Sequence, residues 1–190
     1  MENKRSFIDE ILFQWGIQGI DFDTYLESYN DKNLIVDIYP FTVLNPQKFR
    51  QVAVFYGKFL DKTISKKCYF DCERKYLSFI RHLWLYNETD AFFDLYFDNY
   101  FRKGLRKQHG LKNCQASEEL HDISDWCKVE ELATLALREA GYVFLHFKTW
   151  NVITMINDFS IVVLCKEEKT TSLINQLSEK NSLFTRLCNT

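Results

Sequence analysis

Apolar positions recur at helical spacing through most of the first two-thirds of this chain, and at strand-like spacing after Gly141. The densest apolar stretch is Phe92 to Phe101, where aromatic pairs return every four residues at 92/93, 96/97 and 100/101. That recurrence predicts a central helix, apolar over more than half of its circumference and packed on most sides. Asp90, Asp94 and Asp98 gather on the remaining arc and form one narrow acidic edge.

Ahead of this stretch, Ser6 caps a helix from Phe7 to Trp15, ended by Gly16 and Gly19. Asp21 opens a short second helix reaching Leu26. Leu34 to Tyr39 reads as a strand stopped by Pro40. Asn45-Pro46 is a cap followed by proline at the first helical position, so a helix is expected from there to about Leu60. Glu73 to Tyr86 again has helical period. Beyond the central helix, the cations from Arg102 to Lys107 and then Gly110 suit a helix C-terminus, and Leu111 to Trp126 reads as a long polar loop.

Lys128 to Ala140 predicts an amphipathic helix closed by Gly141. Tyr142–Lys148, Asn151–Ile156 and Phe159–Cys165 predict an antiparallel meander, with a two-residue turn in Ile156-Asn157-Asp158-Phe159 that tolerates positive φ. The last strand is apolar on both parities, which puts it in the middle of a sheet or under cover on both faces. A polar helix from Lys169 to Ser178 and a short tail complete the chain. The expected fold is α+β, one domain over residues 1–190. Its N-terminal two-thirds is expected to be mostly helical. A C-terminal three-stranded antiparallel meander, extended by Leu34–Tyr39, is flanked by helices.

Composition narrows the class. At 190 residues, with 46% hydrophobic and 26% charged residues, the chain can bury a full core without disulfides or a structural metal. Seventeen Phe and ten Tyr make it rich in aromatics, and six Gly with two Pro leave little for turn-dense β architectures. A net charge of −2 supplies no global field toward nucleic acid or an anionic membrane. Acids in the first ten residues, the absence of a long apolar run, and six cysteines without framework spacing lead to an expectation of a cytoplasmic protein with reduced thiols.

Candidate chemistry is sparse. No phosphate-cradling glycine loop and no G-x-S-x-G elbow is present. Cys68-x₃-Cys72, or Cys114 with His121 and Cys127, are the only metal-like groupings, and their gaps do not match a finger. The plain reading makes Cys68 and Cys127 small buried hydrophobes. No metal and no cofactor are expected. His82 and His146 read as hydrogen-bonded structural histidines. Asp158 and Glu167 resemble a nuclease pair only on paper, because they fall at opposite ends of one strand, about 30 Å apart.

Two charged groups remain. Arg102, Lys103, Arg106, Lys107 and Lys112 sit beside Tyr100 and Phe101, as a phosphate-binding groove with a stacking platform would require, or as a solvated helix end stabilised by its dipole. The stripe Asp90, Asp94, Asp98 places like charges at i, i+4 and i+8, at roughly 0.2–0.5 kcal/mol per pair. Cations elsewhere in the fold or on a partner would offset this. Asp21, Asp23 and Glu27 form a second acidic cluster.

These features favour a non-enzymatic protein-binding module whose two acidic clusters meet a basic protein partner. Within that class the expected type is a bacterial immunity protein that neutralises a cognate toxin by masking its active site. The alternatives are a small hydrolase or transferase using His121 and Asp122 with Cys114 or Cys127, and a nucleic-acid-binding protein using the cluster from Arg102 to Lys112.

Overall fold

A computed structural model describes residues 33–94, 117–165 and 167–187, with 92–94 and 117–122 as backbone only. Its elements in chain order are β1 (Asn33–Asp37), α1 (Pro46–Val52), α2 (Tyr56–Leu60), α3 (Lys66–Leu85), β2 (Thr89–Asp94) and β3 (Ser117–Asp122). Then come α4 (Trp126–Leu137), β4 (Tyr142–Phe147), β5 (Val152–Asn157), β6 (Ser160–Cys165), α5 (Glu168–Lys180) and β7 (Phe184–Leu187). The seven strands form one antiparallel sheet in the order β3-β2-β4-β5-β6-β1-β7. The chain is therefore α+β.

The expected meander is present as β4-β5-β6, and β1 joins it along β6 with Val36 opposite Ile161. Val143, Leu145 and Phe147 on one parity of β4 are buried, while Tyr142, Phe144 and His146 on the other are half-buried. Along β6 every residue from Ile161 to Cys165 is buried, as both parities being apolar required of a central strand. Helix α4 packs on β4 and β5, α5 on β6 and β7, and α3 against both helices.

Capping follows the sequence closely. Asn45 Oδ1 accepts from the amides of Gln47 and Lys48, Ser65 Oγ from Cys68, and Asp125 Oδ1 from Cys127. The β5–β6 turn comes one residue later than expected: Asn157 pairs with Ser160, and Asp158 takes the positive φ of 51°. That conformation suits aspartate better than a bulkier residue.

Four expectations need correction. The segment 89–94 is strand β2, hydrogen-bonded to β3 on one side and β4 on the other, and not the start of a central helix. Residues 95–101, the rest of the expected helix, lie outside the described residues. A spacing of four satisfies a helical period and is also an even number, so it fits one face of a strand equally well. The polar loop expected from Leu111 contains strand β3. The helix expected from Asn45 to Leu60 is two short helices, separated where Ala53 and Val54 turn into the core. The mostly helical N-terminal two-thirds with a three-stranded meander gives way to a sheet of seven strands drawn from the whole described chain.

One buried ion pair ties the helices together. Arg138, just past α4, makes paired hydrogen bonds of 2.7 and 2.8 Å to the Glu73 carboxylate on α3. The next residue, Glu139, turns into positive φ and its carboxylate accepts from the Tyr56 amide at 2.8 Å, capping α2 from across the fold.

Candidate functional site

Strand β1 leaves the sheet at Asp37, and the chain runs through Tyr39 and Phe41 into α1. That exit, the β5–β6 hairpin tip and Arg186 of β7 enclose a cleft of about 400 Å³. Clefts of this size with apolar walls and a few convergent polar groups are where small groups bind.

The walls are aromatic. Tyr39 meets Phe49 edge to face with centroids 6.2 Å apart, and Phe49 meets Phe55 likewise at 5.8 Å. Phe159 is buried against Tyr69 and Tyr76. Tyr76 holds the cleft's two sides together: its hydroxyl accepts from the Ile38 amide at 3.1 Å and donates to the Phe159 carbonyl. Burial keeps that phenol neutral by pushing its pKa well up, and nearby Asp37 adds to the effect. The Tyr39 hydroxyl donates to the Val52 carbonyl at 2.8 Å, and burial first, then Asp37, pushes its pKa up to about 12.

The polar groups divide into paired and unpaired. Asp37 accepts from Arg186 Nη2 at 3.1 Å and from the Tyr39 amide at 3.2 Å, while Arg186 Nη1 donates to Thr42 at 3.0 Å. Asp158 at the hairpin tip has no cation or donor on its carboxylate among the described residues. Burial pushes its pKa up to about 6, helped by repulsion from Glu139.

The sign of that displacement sets a pH dependence. A carboxyl whose folded pKa lies above its unfolded value holds its proton more tightly when folded, so stability falls as pH rises from about 4 to about 6. About two pH units correspond to roughly 3 kcal/mol, of which a partly solvated carboxyl keeps about 1. Asp158→Asn keeps the turn and should be more stable than wild type by about that amount above pH 6, and equal to it below pH 4. Thermal melting from pH 3.5 to 7.5 checks this, and parallel curves would show that Asp158 is well solvated.

Phe41 lines the cleft and is 79% exposed, and Leu44, next in sequence after the lining residue Val43, is 87% exposed. Val52 and Leu60, at the ends of α1 and α2, are also exposed.

Apart from Asp158, the residues singled out in the sequence do not line this cleft. Asp90 is buried at 8% exposure on β2, with its carboxylate 2.9 Å from Lys148 Nζ, so it does not stand on an exposed helical edge with Asp94 and Asp98. Asp94 lies on the same strand, and Asp98, Asp21, Asp23 and Glu27 lie outside the described residues. So do Arg102, Lys103, Arg106, Lys107 and Lys112, and Cys114. His121 and Asp122 are on β3, opposite Ala91 and Asp90.

Cys68 and Cys127 are exposed, each in the first turn of its helix, rather than buried hydrophobes. Burial pushes the Cys72 thiol up, with Cys68 beside it. His82 Nδ1 donates to the Ser78 carbonyl at 2.7 Å, a structural role as expected. His146 Nδ1 is buried with no hydrogen-bond partner among the described residues, and burial lowers that histidine's pKa despite Asp90 nearby. Among the described residues no three His, Cys, Asp or Glu groups gather as a metal set. No described helix is long and apolar enough to cross a membrane.

Of the residues that build the cleft, the sequence drew attention to Asp158 alone, and there only as half of a rejected nuclease pair. Asp37 did carry a signal, as a single acid inside the apolar run Leu34-Ile35-Val36-Asp37-Ile38. An acid at such a position requires a partner, here supplied by Arg186 from 149 residues away. No known family model, curated protein or solved structure matches this chain.

Proposed function

We propose that this chain is a cytosolic, non-enzymatic protein-binding module whose partner docks across the mouth of the β1–hairpin cleft. The observation that carries the reading is the exposure of Phe41 at 79% and Leu44 at 87% on one loop beside a cavity. Single exposed apolar residues are ordinary, but an exposed aromatic on a cleft's lining with an exposed leucine three positions on is the kind of pair that anchors an interface. Asp37, Arg186 and Tyr39 are engaged with protein groups, which suits a recognition surface better than a proton-transfer site. The narrower form of the reading is an immunity protein that binds a toxin and covers its active site.

The test uses Phe41→Ser with Leu44→Ser. Both side chains are exposed, so stability should change by no more than about 0.5 kcal/mol. Tagged wild-type protein, expressed in the organism that makes it, should retain one stoichiometric partner that the double variant loses. Equal capture by both proteins would remove this surface from consideration. For the immunity form, expressing the captured partner alone should arrest growth, and co-expression of the wild type but not of the double variant should restore it.

A further inference from the structure

We infer that the cleft receives a cationic side chain, a lysine or arginine of the docking partner, held against the aromatic wall and paired with the Asp158 carboxylate. The inference rests on the protein-docking reading and names the chemistry of the partner at its centre.

The cleft's internal charges come first. Asp37 and Arg186 form a pair at 3.1 Å and cancel, which leaves Asp158 as the one uncompensated charge among the described lining residues. A half-buried carboxylate with no donor is held at a cost that an incoming cation removes. Glu139 stands close enough to raise the cost further, and its own carboxylate is committed to the Tyr56 amide.

The wall favours the same ligand. Tyr39, Phe49 and Phe55 meet at interplanar angles of 68° and 79°, so neighbouring rings form the corners of a box. Perpendicular rings beside a carboxylate are the arrangement that binds ammonium and guanidinium groups, through ring quadrupoles on the sides and charge at the end. Phe55 is already taken by a cation, Lys58 Nζ at 5.8 Å from its centroid and donating to the Ala53 carbonyl at 2.8 Å, so the incoming cation is assigned to Tyr39 and Phe49. Lys48 and Arg50 on α1 are exposed, where solvent and salt screen them.

The mouth identifies the source. A free amine would fill the cavity and leave Phe41 and Leu44 in water. A protein surface carrying lysine or arginine within an apolar patch covers both.

The probes are N-acetyl-arginine methylamide and N-acetyl-lysine methylamide, with N-acetyl-norleucine methylamide as the uncharged match. They are titrated at pH 7.5 into the full chain while aromatic NMR signals of Tyr39 and Phe49 are followed. At least one cation should bind at least tenfold more tightly than norleucine, and Asp158→Asn should remove most of that preference. Its melting curve confirms that the variant is folded. Phe49→Leu, which keeps the wall apolar without a ring, should weaken the cation several-fold and norleucine little.

Equal binding of norleucine, or cation binding untouched by Asp158→Asn, overturns the inference. Capture of the partner by Asp158→Asn at wild-type affinity also overturns it, while leaving docking at Phe41 and Leu44 standing. Cation binding in a protein that captures no partner overturns the assignment to a partner's side chain and the docking reading together, and gives the cleft to a free amine.

Discussion

Replacing Arg138 with methionine is expected to destabilise the fold by about 3–5 kcal/mol, because it leaves a buried carboxylate without its cation. The guanidinium is 12% exposed and its partner Glu73 6%, so the pair is held away from water. Methionine would replace most of the side-chain volume that now lies 5.9 Å from the Tyr56 ring and 5.7 Å from the Phe70 ring. It would also leave the Glu73 carboxylate buried with no cation. The cost then comes mainly from the orphaned charge and only secondarily from lost packing.

That distinction is testable with one further variant. Glu73→Leu combined with Arg138→Met leaves neither charge behind, and should recover most of the loss, ending within about 1 kcal/mol of wild type. Urea denaturation of the two single variants and the double gives the coupling energy directly. If the double variant is as unstable as the sum of the singles, the two side chains act independently and the pair is not what joins α3 to α4. Arg138 precedes Glu139, which caps α2, so the single variants should also loosen the segment that forms one wall of the cleft.

Local signals were legible wherever a short stretch settles its own structure. Asn45-Pro46 marks the start of α1 because the cap and the proline act within one turn. The run from Val129 to Leu137 identifies α4 by its stripe, and Ile161 to Cys165 shows a strand covered on both faces. The failures came where pairing partners decide. In β2 the recurrence of four residues is degenerate between helix and strand, and hydrogen bonds from β3 and β4 resolve it. Strand β3 is Ser-Glu-Glu-Leu-His-Asp, with little intrinsic preference for extended structure, and it exists as an edge beside β2. Strand β7 is four residues long and is held by β1 on one side.

The cleft was least legible because its members are far apart in sequence. Asp37 and Arg186 are separated by 149 positions, and Phe159 reaches Tyr76 across 83. Periodicity carries information over one or two turns, and no window of that size contains any of these pairs. The exposed Phe41 and Leu44 were equally hidden, since an apolar residue beside a helix start reads as packing until burial is known.

Tyr76→Phe should cost about 1–3 kcal/mol and should open the cleft, because one hydroxyl serves two backbone groups on opposite walls. The side chain is fully buried on α3, and its oxygen bridges the Ile38 amide at the end of β1 and the Phe159 carbonyl at the hairpin tip. Phenylalanine fills nearly the same volume, so no cavity contributes to the loss. What remains is an unpaired donor and an unpaired acceptor, each partly or wholly shielded from water. Hydrogen exchange at the Ile38 amide should therefore accelerate by more than global destabilisation accounts for. Tyr69→Phe is the matched comparison. Tyr69 is as deeply buried on the same helix, but its hydroxyl makes no hydrogen bond of good geometry among the described residues and lies near the Glu73 carboxylate. Removing that oxygen strands nothing, so Tyr69→Phe should be neutral or slightly stabilising by urea denaturation. Equal losses in the two variants would mean that the Tyr76 hydroxyl bridge does not hold the cleft's walls together, and that both tyrosines serve the core through their rings alone.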